Sequence, residues 1–343
     1  MTILESRTII AASGERALMG RDDGSANGDD GDVNRNEEGA NGDDRDRVRE
    51  AFSLLGHEIR LDILLALLED WHAVYTEPKS YAELMAAVGL RDSGQFNYHL
   101  DKLRGVYVRK LEDGYVPTAS VTALYRTVLA HRPTEHLEYG PAAIDSACPR
   151  CDQAPVVRYD RGFATVDCAA CEWTGFTYPF PKNGLEGRDA DAIADAVTRR
   201  ARRDIGLARA GQCPFCAGTT SVDLRLEALR GEGDDGDADG DWAAAKVDDH
   251  WVEIVCDDCT FLVGVDPLGA LLADGRVAGP LADAGLEPDR HDWEQPTPTV
   301  RAESRDPARL ALEIELEDED GIVRTATIAV DDEFAVRSLA IDP

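Results

Sequence analysis

Residues 80–117 read SYAELMAAVGLRDSGQFNYHLDKLRGVYVRKLEDGYVP, and the capping and turn signals in this stretch define the fold around it. Ser80 and Glu83 form a capping box, which predicts a helix that starts at Ser80. Gly89 is a typical residue at the end of such a helix. The acidic pair and glycine at 112–114 predict a tight turn between two short strands.

A second helix is predicted between that first helix and the strands. Asp92 or Ser93 caps it, and Phe96, Leu100 and Leu103 recur on one face at helical spacing. The opposite face is polar. Its side chains suit DNA base edges and phosphates, since Gln and Asn pair with adenine while Ser and Lys suit phosphate or guanine. The polar side chains of this face are Ser93, Gln95, Asn97, Tyr98 and Lys102.

Further helices are predicted on both sides of this stretch. Upstream, apolar residues at three- and four-residue spacing indicate one amphipathic helix, and they are Val48, Phe52, Leu55, Ile59, Ile63 and Leu67. Downstream, a helix is predicted with Val121, Leu124, Tyr125 and Val128 on its apolar face. The order helix, helix, turn, helix, hairpin, helix predicts a winged helix-turn-helix domain over residues 46–132.

Two stretches of this domain resemble a known family. Residues 55–64, LGHEIRLDIL, resemble the first-helix signature of ArsR-type winged-helix repressors, and residues 93–103, SGQFNYHLDKL, resemble their recognition helix. The whole chain resembles a group of halophilic archaeal proteins with this domain and cysteine modules. The resemblance implies binding to double-stranded DNA, homodimerisation and transcriptional regulation. Many relatives sense metals through cysteines in this domain, whereas the first cysteine here is Cys148, which argues against that mechanism.

DNA contacts are expected from the polar helix face and from the hairpin that follows it. The hairpin residues Arg109, Lys110 and Tyr115 are placed for the backbone or the minor groove, and Arg91 precedes the helix. The alternatives are an amphipathic helix in a small helical domain, or a protein-interaction scaffold of the transcription or RNA machinery. An enzyme is not expected, since the sequence contains no phosphate-binding glycine loop and no convincing nucleophile–base pair.

Charge separates this domain from the rest of the chain. The formal net charge is -31, and only five of the 36 basic residues are lysine, which is typical of proteins from extreme halophiles. An acidic mesophilic protein with disordered tails is the alternative. Residues 47–131 carry 11 acids and ten bases, and residues 91–110 carry five bases against two acids. The local sign therefore suits a phosphate surface.

Residues 1–45 are expected to form a disordered acidic tail, because they contain little apolar surface to bury after Met19. The sequence contains no transmembrane run and no convincing signal peptide. We therefore expect a cytoplasmic protein without a membrane partner, in which cysteines serve as metal ligands more often than as disulfides.

All eight cysteines occur in Cys-x-x-Cys pairs, each of which offers two thiolates to one tetrahedral ion. The pairs are Cys148/Cys151, Cys168/Cys171, Cys213/Cys216 and Cys256/Cys259. The interval between the first two pairs is typical of a zinc ribbon, predicted over residues 145–182. The last two pairs are assigned to a second ribbon-like module with a long acidic insertion. Pairing Cys168/Cys171 with Cys213/Cys216 is the competing arrangement.

Two structural zinc ions are therefore expected, in closed four-thiolate sites without an open coordination position. Redox dithiols, disulfides and iron–sulfur ligands are the alternatives.

The remaining segments connect and follow these modules. A helix capped by Asp189 is predicted over residues 186–210, with arginines that either contact phosphate or form local i,i+4 pairs. Short helices are predicted at 266–274 and 280–284, and β hairpins follow after Pro298. The predicted fold class is thus α+β multidomain, with the winged helix-turn-helix followed by two zinc-ribbon-like modules and a C-terminal antiparallel β cap within residues 211–343.

Overall fold

A computed structural model describes most of the chain. The described residues are 9–11, 36–226, 250–317 and 321–342. The chain divides into two compact units, a helical unit (Met19–Arg132) and a sheet unit (Met1–Leu18 with Pro133–Pro343). The first strand, β1 (Ile9–Ala11), belongs to the sheet unit, so the helical unit is inserted between β1 and the rest of that unit. None of the described helices is both long and apolar enough to span a bilayer.

In its described residues, 36–132, the helical unit contains five α-helices and one hairpin. Its elements are α1 (Asn36–Leu55), α2 (Glu58–Leu68), α3 (Tyr81–Val88), α4 (Ser93–Leu103), β2 (Val108–Lys110), β3 (Tyr115–Pro117) and α5 (Ala119–His131). The capping box at Ser80 and Glu83 is present, and Gly89 ends α3 in the left-handed conformation. Asp92 caps α4 by accepting hydrogen bonds from the amides of residues 94 and 95.

The core of the helical unit lies between α2, α3 and α4. Ile63, Leu84, Phe96, Leu100 and Leu103 are fully buried there. Burying side chains of this size stabilises the unit by about 1.5–3 kcal/mol each. The predicted apolar face of α4 is thus the face that packs.

The prediction of one continuous helix from Val48 to Leu67 is wrong. The helix breaks at Gly56, and the His57 side chain accepts a hydrogen bond from the Ile59 amide at the start of α2. Leu55 and Ile59 pack against the core that buries Ile63 and Leu67, whereas the first two residues of the apolar series do not. Val48 is 53 % exposed and Phe52 is 61 % exposed.

The expectation of disorder over residues 1–45 is wrong at two places, β1 and the first half of α1. Ile9 and Ile10 belong to a short apolar run, and β-branched residues favour strands. Residues 1–8 and 12–35 of this segment lie outside the described residues.

The sheet unit is built on one eight-stranded sheet. Its strands are β1, β4 (Tyr139–Ala143), β5 (Val156–Asp160), β6 (Phe163–Asp167), β7 (Thr174–Pro179), β8 (Thr220–Leu226), β9 (His250–Cys256) and β10 (Leu262–Val265). The strand order is β4-β5-β6-β7-β1-β10-β9-β8. The two predicted cysteine modules therefore share one sheet, and their buried residues belong to one core.

Helix α6 (Ala190–Arg209) packs against this sheet, and Asp189 caps it as predicted. Ile193, Val197, Ala201 and Ile205 are buried at four-residue spacing. The helix contacts β5 and β6 on one side and β8 and β9 on the other. It therefore links both halves of the sheet.

A second sheet, in the order β11-β12-β13-β14, completes the unit. Helices α7 (Pro267–Leu272) and α8 (Gly275–Asp283) precede β11 (Thr299–Arg305), β12 (Ala308–Glu317), β13 (Val323–Asp331) and β14 (Val336–Asp342). The predicted alternation in β12 is confirmed, since Leu310, Leu312, Ile314 and Leu316 are buried. The predicted helix start at Pro280 is wrong, because α8 begins at Gly275 and contains this proline.

Candidate metal centres and nucleic-acid interface

The first four-cysteine cluster joins the turn after β4 to the turn after β6. The Sγ atoms of Cys148 and Cys171 lie 3.5 Å apart, as do those of Cys151 and Cys168. All four sulfur atoms lie within 4.8 Å of one another. The 16-residue interval brings them together because β5 and β6 pair as an antiparallel hairpin between the two turns.

Local backbone geometry shapes each turn of this cluster. The amide of Asp152 donates to the carbonyl of Cys148 at 2.9 Å, and that of Glu172 donates to the carbonyl of Cys168 at 3.0 Å. Asp152 and Glu172 both adopt a left-handed conformation, with φ of 59° and 58°. The chain turns tightly after each second cysteine, so that both thiols of a pair point to one place.

The second cluster has the same design despite its longer insertion. The Sγ atoms of Cys213 and Cys259 lie 3.6 Å apart, and those of Cys216 and Cys256 lie 3.4 Å apart. Antiparallel pairing of Thr220 with Cys256 brings the two turns together across the 39 residues between Cys216 and Cys256. The structure therefore groups Cys213/Cys216 with Cys256/Cys259, as predicted, and not with Cys168/Cys171.

Backbone amides are directed at the sulfur atoms of the second cluster. The amides of Phe215, Gly218 and Asp258 donate to Cys213, Cys216 and Cys256 at 3.4–3.5 Å. Such hydrogen bonds stabilise a thiolate more than a thiol, because the acceptor is charged.

The donor set fits a tetrahedral thiophilic cation. With metal–sulfur bonds of about 2.3 Å, neighbouring sulfur atoms in a tetrahedral site lie about 3.8 Å apart, and the closest pairs here lie at 3.4–3.6 Å. Four thiolates favour zinc or iron over calcium and magnesium, which prefer oxygen. Each cluster is thus compatible with a structural zinc site, and the four cysteines leave no position for a substrate.

The thiols within each cluster differ in pKa. Burial raises the pKa of Cys148 and of Cys259 to about 12. Burial also acts on Cys168 and Cys213, but hydrogen bonds from neighbouring amides and thiols outweigh it and lower the pKa of each to about 7. A cation that binds all four as thiolates therefore has to displace protons from the more basic thiols.

The first cluster is anchored to the sheet unit by two tryptophans. Trp173, two residues after Cys171, meets the ring of Trp293 edge-on at 5.7 Å. Trp293 also donates to the hydroxyl of Ser146, which bonds Glu294 at 2.5 Å. Sequence patterns did not indicate these contacts, because residues about 120–150 positions apart form them.

The polar face of α4 in the helical unit is exposed. Ser93, Gln95, Asn97, Tyr98 and Lys102 all lie on the surface, as does Arg91 in the turn before the helix. The amide of Asn97 donates to Asp101 at 3.0 Å, and Arg104 pairs with Asp101 at 2.8 Å. Asp101 therefore binds both Asn97 and Arg104 in the free protein.

The β2–β3 hairpin presents Arg109 and Lys110 at the surface, and neither forms an ion pair with the described residues. Tyr115 differs from the prediction. Its side chain is only 7 % exposed and belongs to the core of the helical unit, while its backbone pairs with Lys79. The ring is therefore part of the core in the free protein, and the predicted DNA contact by Tyr115 stays a prediction that this burial does not support.

The arginines of α6 are engaged within the sheet unit. Arg202 bonds the carboxylate of Asp292 at 2.7 Å, and Arg203 pairs with the buried Asp204 at 2.6 Å. Arg209 donates to two backbone carbonyls, and Arg199 pairs with Asp195 at 3.7 Å. These contacts favour the structural interpretation of the arginine-rich helix over a phosphate surface.

The comparisons with known proteins place the sheet unit in a family. A model described as a domain of unknown function, DUF7351, matches residues 145–336. The chain therefore belongs to the DUF7351 family. A second domain of unknown function, DUF7347, matches residues 48–128 of the helical unit. Neither the curated proteins nor the solved structures yield a match.

Proposed function

We propose that this protein is a DNA-binding transcriptional regulator whose helical unit is a winged helix-turn-helix of ArsR type. In this assignment α3 and α4 form the helix-turn-helix and the β2–β3 hairpin is the wing. The observation that carries the proposal is the division of α4 into a packed apolar face and an exposed polar face. A recognition helix needs both faces, one to hold it in place and one to reach base edges.

The exposed groups match the chemistry of the major groove. Gln95 and Asn97 can each form two hydrogen bonds with adenine, and Lys102 suits guanine or phosphate. Asn97 has to exchange Asp101 for a base edge on binding. Arg109 and Lys110 on the wing then lie where phosphates of the adjacent backbone are expected.

The cysteine clusters have a supporting role in this proposal. Two structural zinc ions would hold the turns of the sheet unit, each by four cysteines, and zinc supplies folding free energy there rather than catalysis.

A homodimer is part of the proposal, as expected for a regulator that reads two half-sites. Exposed apolar side chains on α1 and α5, including Phe52 and Val128, offer surface for a second copy. Light scattering of the wild type and of Phe52→Glu tests this, with a shift toward monomer expected in the variant.

The DNA-binding test uses a triple variant, Gln95→Ala, Asn97→Ala and Lys102→Ala. These side chains are exposed, so the fold and the zinc content are expected to remain while specific DNA occupancy is lost. Genome-wide mapping of bound sites in cells at high salt measures this directly. Unchanged occupancy would refute the proposal and favour a protein-interaction scaffold.

A further inference from the structure

In the eight-stranded sheet, β1 fills a position one strand wide between two cysteine-bearing half-sheets, and this position is called the gap. One half-sheet is β4-β5-β6-β7 and the other is β10-β9-β8. Their facing edges, β7 and β10, pair with β1 and not with each other. Helix α6 contacts β5 and β6 of one half-sheet and β8 and β9 of the other, so the two half-sheets share a packing partner besides β1.

The register of β1 defines what the gap accepts. Residue 9 pairs with Phe176 and residue 11 pairs with Val263, while residue 10 lies between Thr177 and Gly264. Phe176 and Val263 are buried in the core of the sheet unit. Paired residues of adjacent strands share a face of the sheet. The first and third positions of a strand in the gap therefore pair with buried apolar residues, and the second pairs with the buried Gly264 and the partly buried Thr177.

The wall formed by β10 is shaped by a glycine and a tryptophan. A Cβ atom at Gly264 would overlap the ring of Trp251, which is itself buried. Gly175 on β7 is covered in the same manner by Trp173. Bulky rings thus flank the gap on both edges, and the glycines leave them the necessary room.

We propose that the gap between β7 and β10 is a strand-binding site, which the chain's own residues 9–11 occupy and which also accepts the same segment as a separate peptide. Binding is by β-strand addition, with backbone hydrogen bonds on both sides and apolar side chains at alternate positions. β1 pairs over only three residues, whereas β8 and β9 pair over seven. It is thus held by fewer backbone contacts than its neighbours β10 and β7, which pair with β9 and β6 over four residues or more.

Exchange of this strand has a consequence for the helical unit. That unit is inserted between β1 and the rest of the sheet unit, so it is connected to the sheet unit at both of its ends. When β1 leaves the gap, one of the two connections no longer ends in the sheet. This inference does not depend on DNA binding.

The test uses the full chain and a fluorescent peptide of residues 5–14, ESRTIIAASG. Ile10→Pro removes a backbone N–H that the strand uses, and Ser13→Pro is the matched control beyond the strand. We expect hydrogen exchange in residues 174–179 and 262–265 to be at least about tenfold faster in Ile10→Pro only, consistent with lost strand pairing. The peptide is expected to bind Ile10→Pro saturably, and neither the wild type nor Ser13→Pro.

A peptide variant tests the register. A peptide with Ile9→Asp, at the position that pairs with the buried Phe176, is expected to lose binding. Absence of saturable binding to Ile10→Pro, or equal binding to the wild type, overturns the proposal. If Ile10→Pro does not fold, a protease site inserted between residues 19 and 30 replaces it. After cleavage the labelled peptide should displace the native segment, and failure to displace it likewise overturns the proposal.

Discussion

Lys102→Ala is expected to change the salt dependence of DNA binding by a predictable amount. Each copy exposes four basic side chains at the proposed interface, namely Arg91, Lys102, Arg109 and Lys110. If all four contact phosphate, a dimer makes eight contacts, and the slope of log K against log salt is about -7 at roughly 0.9 per contact. Replacing Lys102 in both copies removes two contacts and changes the slope to about -5.

The same numbers give the affinity loss at each salt concentration. A slope difference of about 1.8 corresponds to roughly 60-fold weaker binding at 0.1 M salt, roughly ninefold at 0.3 M and almost no difference near 1 M. The effect therefore disappears in concentrated salt, where base contacts by Gln95 and Asn97 have to provide the affinity.

Fluorescence anisotropy of a labelled DNA duplex across a potassium chloride series measures both slopes. Arg199→Ala is the matched control, since Arg199 is an exposed base on α6 that pairs with Asp195 outside the helical unit. Its slope should equal that of the wild type. An unchanged slope for Lys102→Ala, or an equal change for Arg199→Ala, would refute the assignment of α4 to the DNA interface.

Three further predictions concern the sheet unit. Tyr178→Phe should lower the free energy of unfolding by about 1.5–3 kcal/mol, because the Tyr178 hydroxyl donates at 2.9 Å to the buried carboxylate of Asp204. Tyr159→Phe removes a bond to a neutral carbonyl and should cost only about 1 kcal/mol; equal losses in denaturant titration would contradict this difference. Cys168→Ser should lower the zinc content from about two to about one per chain by elemental analysis, and loss of both ions would show that the clusters are coupled. Burial lowers the pKa of His291, so the unfolded state binds a proton more readily than the folded state. Stability should therefore be complete above the ordinary histidine pKa of about 6.5 and fall as the pH drops below it, and His291→Gln should reduce that fall in thermal unfolding.

The uneven exposure of the two cysteine clusters bears on zinc exchange. Cys216 is exposed, whereas no cysteine of the first cluster is more than partly exposed. Phe215 beside it is also 58 % exposed, and its ring lies 5.6 Å from that of Phe261 in a tilted arrangement. A chelator that reaches a sulfur atom directly removes zinc faster than one that waits for local opening. Under the proposal of two structural zinc ions, a chelator is therefore expected to remove the ion of the second cluster first.

The local features of this fold were determined by the sequence alone. The capping box at Ser80, the cap at Asp189 and the alternating leucines of β12 all appear where the sequence predicts them. The turns that carry the Cys-x-x-Cys pairs also depend on residues close together in the sequence. Such features depend on residues within a few positions of one another, so their physical cause is contained in the pattern itself.

Tertiary contacts decided the features that involve distant residues. The ring of Tyr115 is buried because its strand pairs with Lys79, and Arg202 is neutralised by Asp292, which lies 90 positions away. Likewise, β1 became a strand because two half-sheets present open edges on either side of it. Three residues carry too little β propensity to form a strand alone. Pairing with β7 and β10 on either side stabilises this strand.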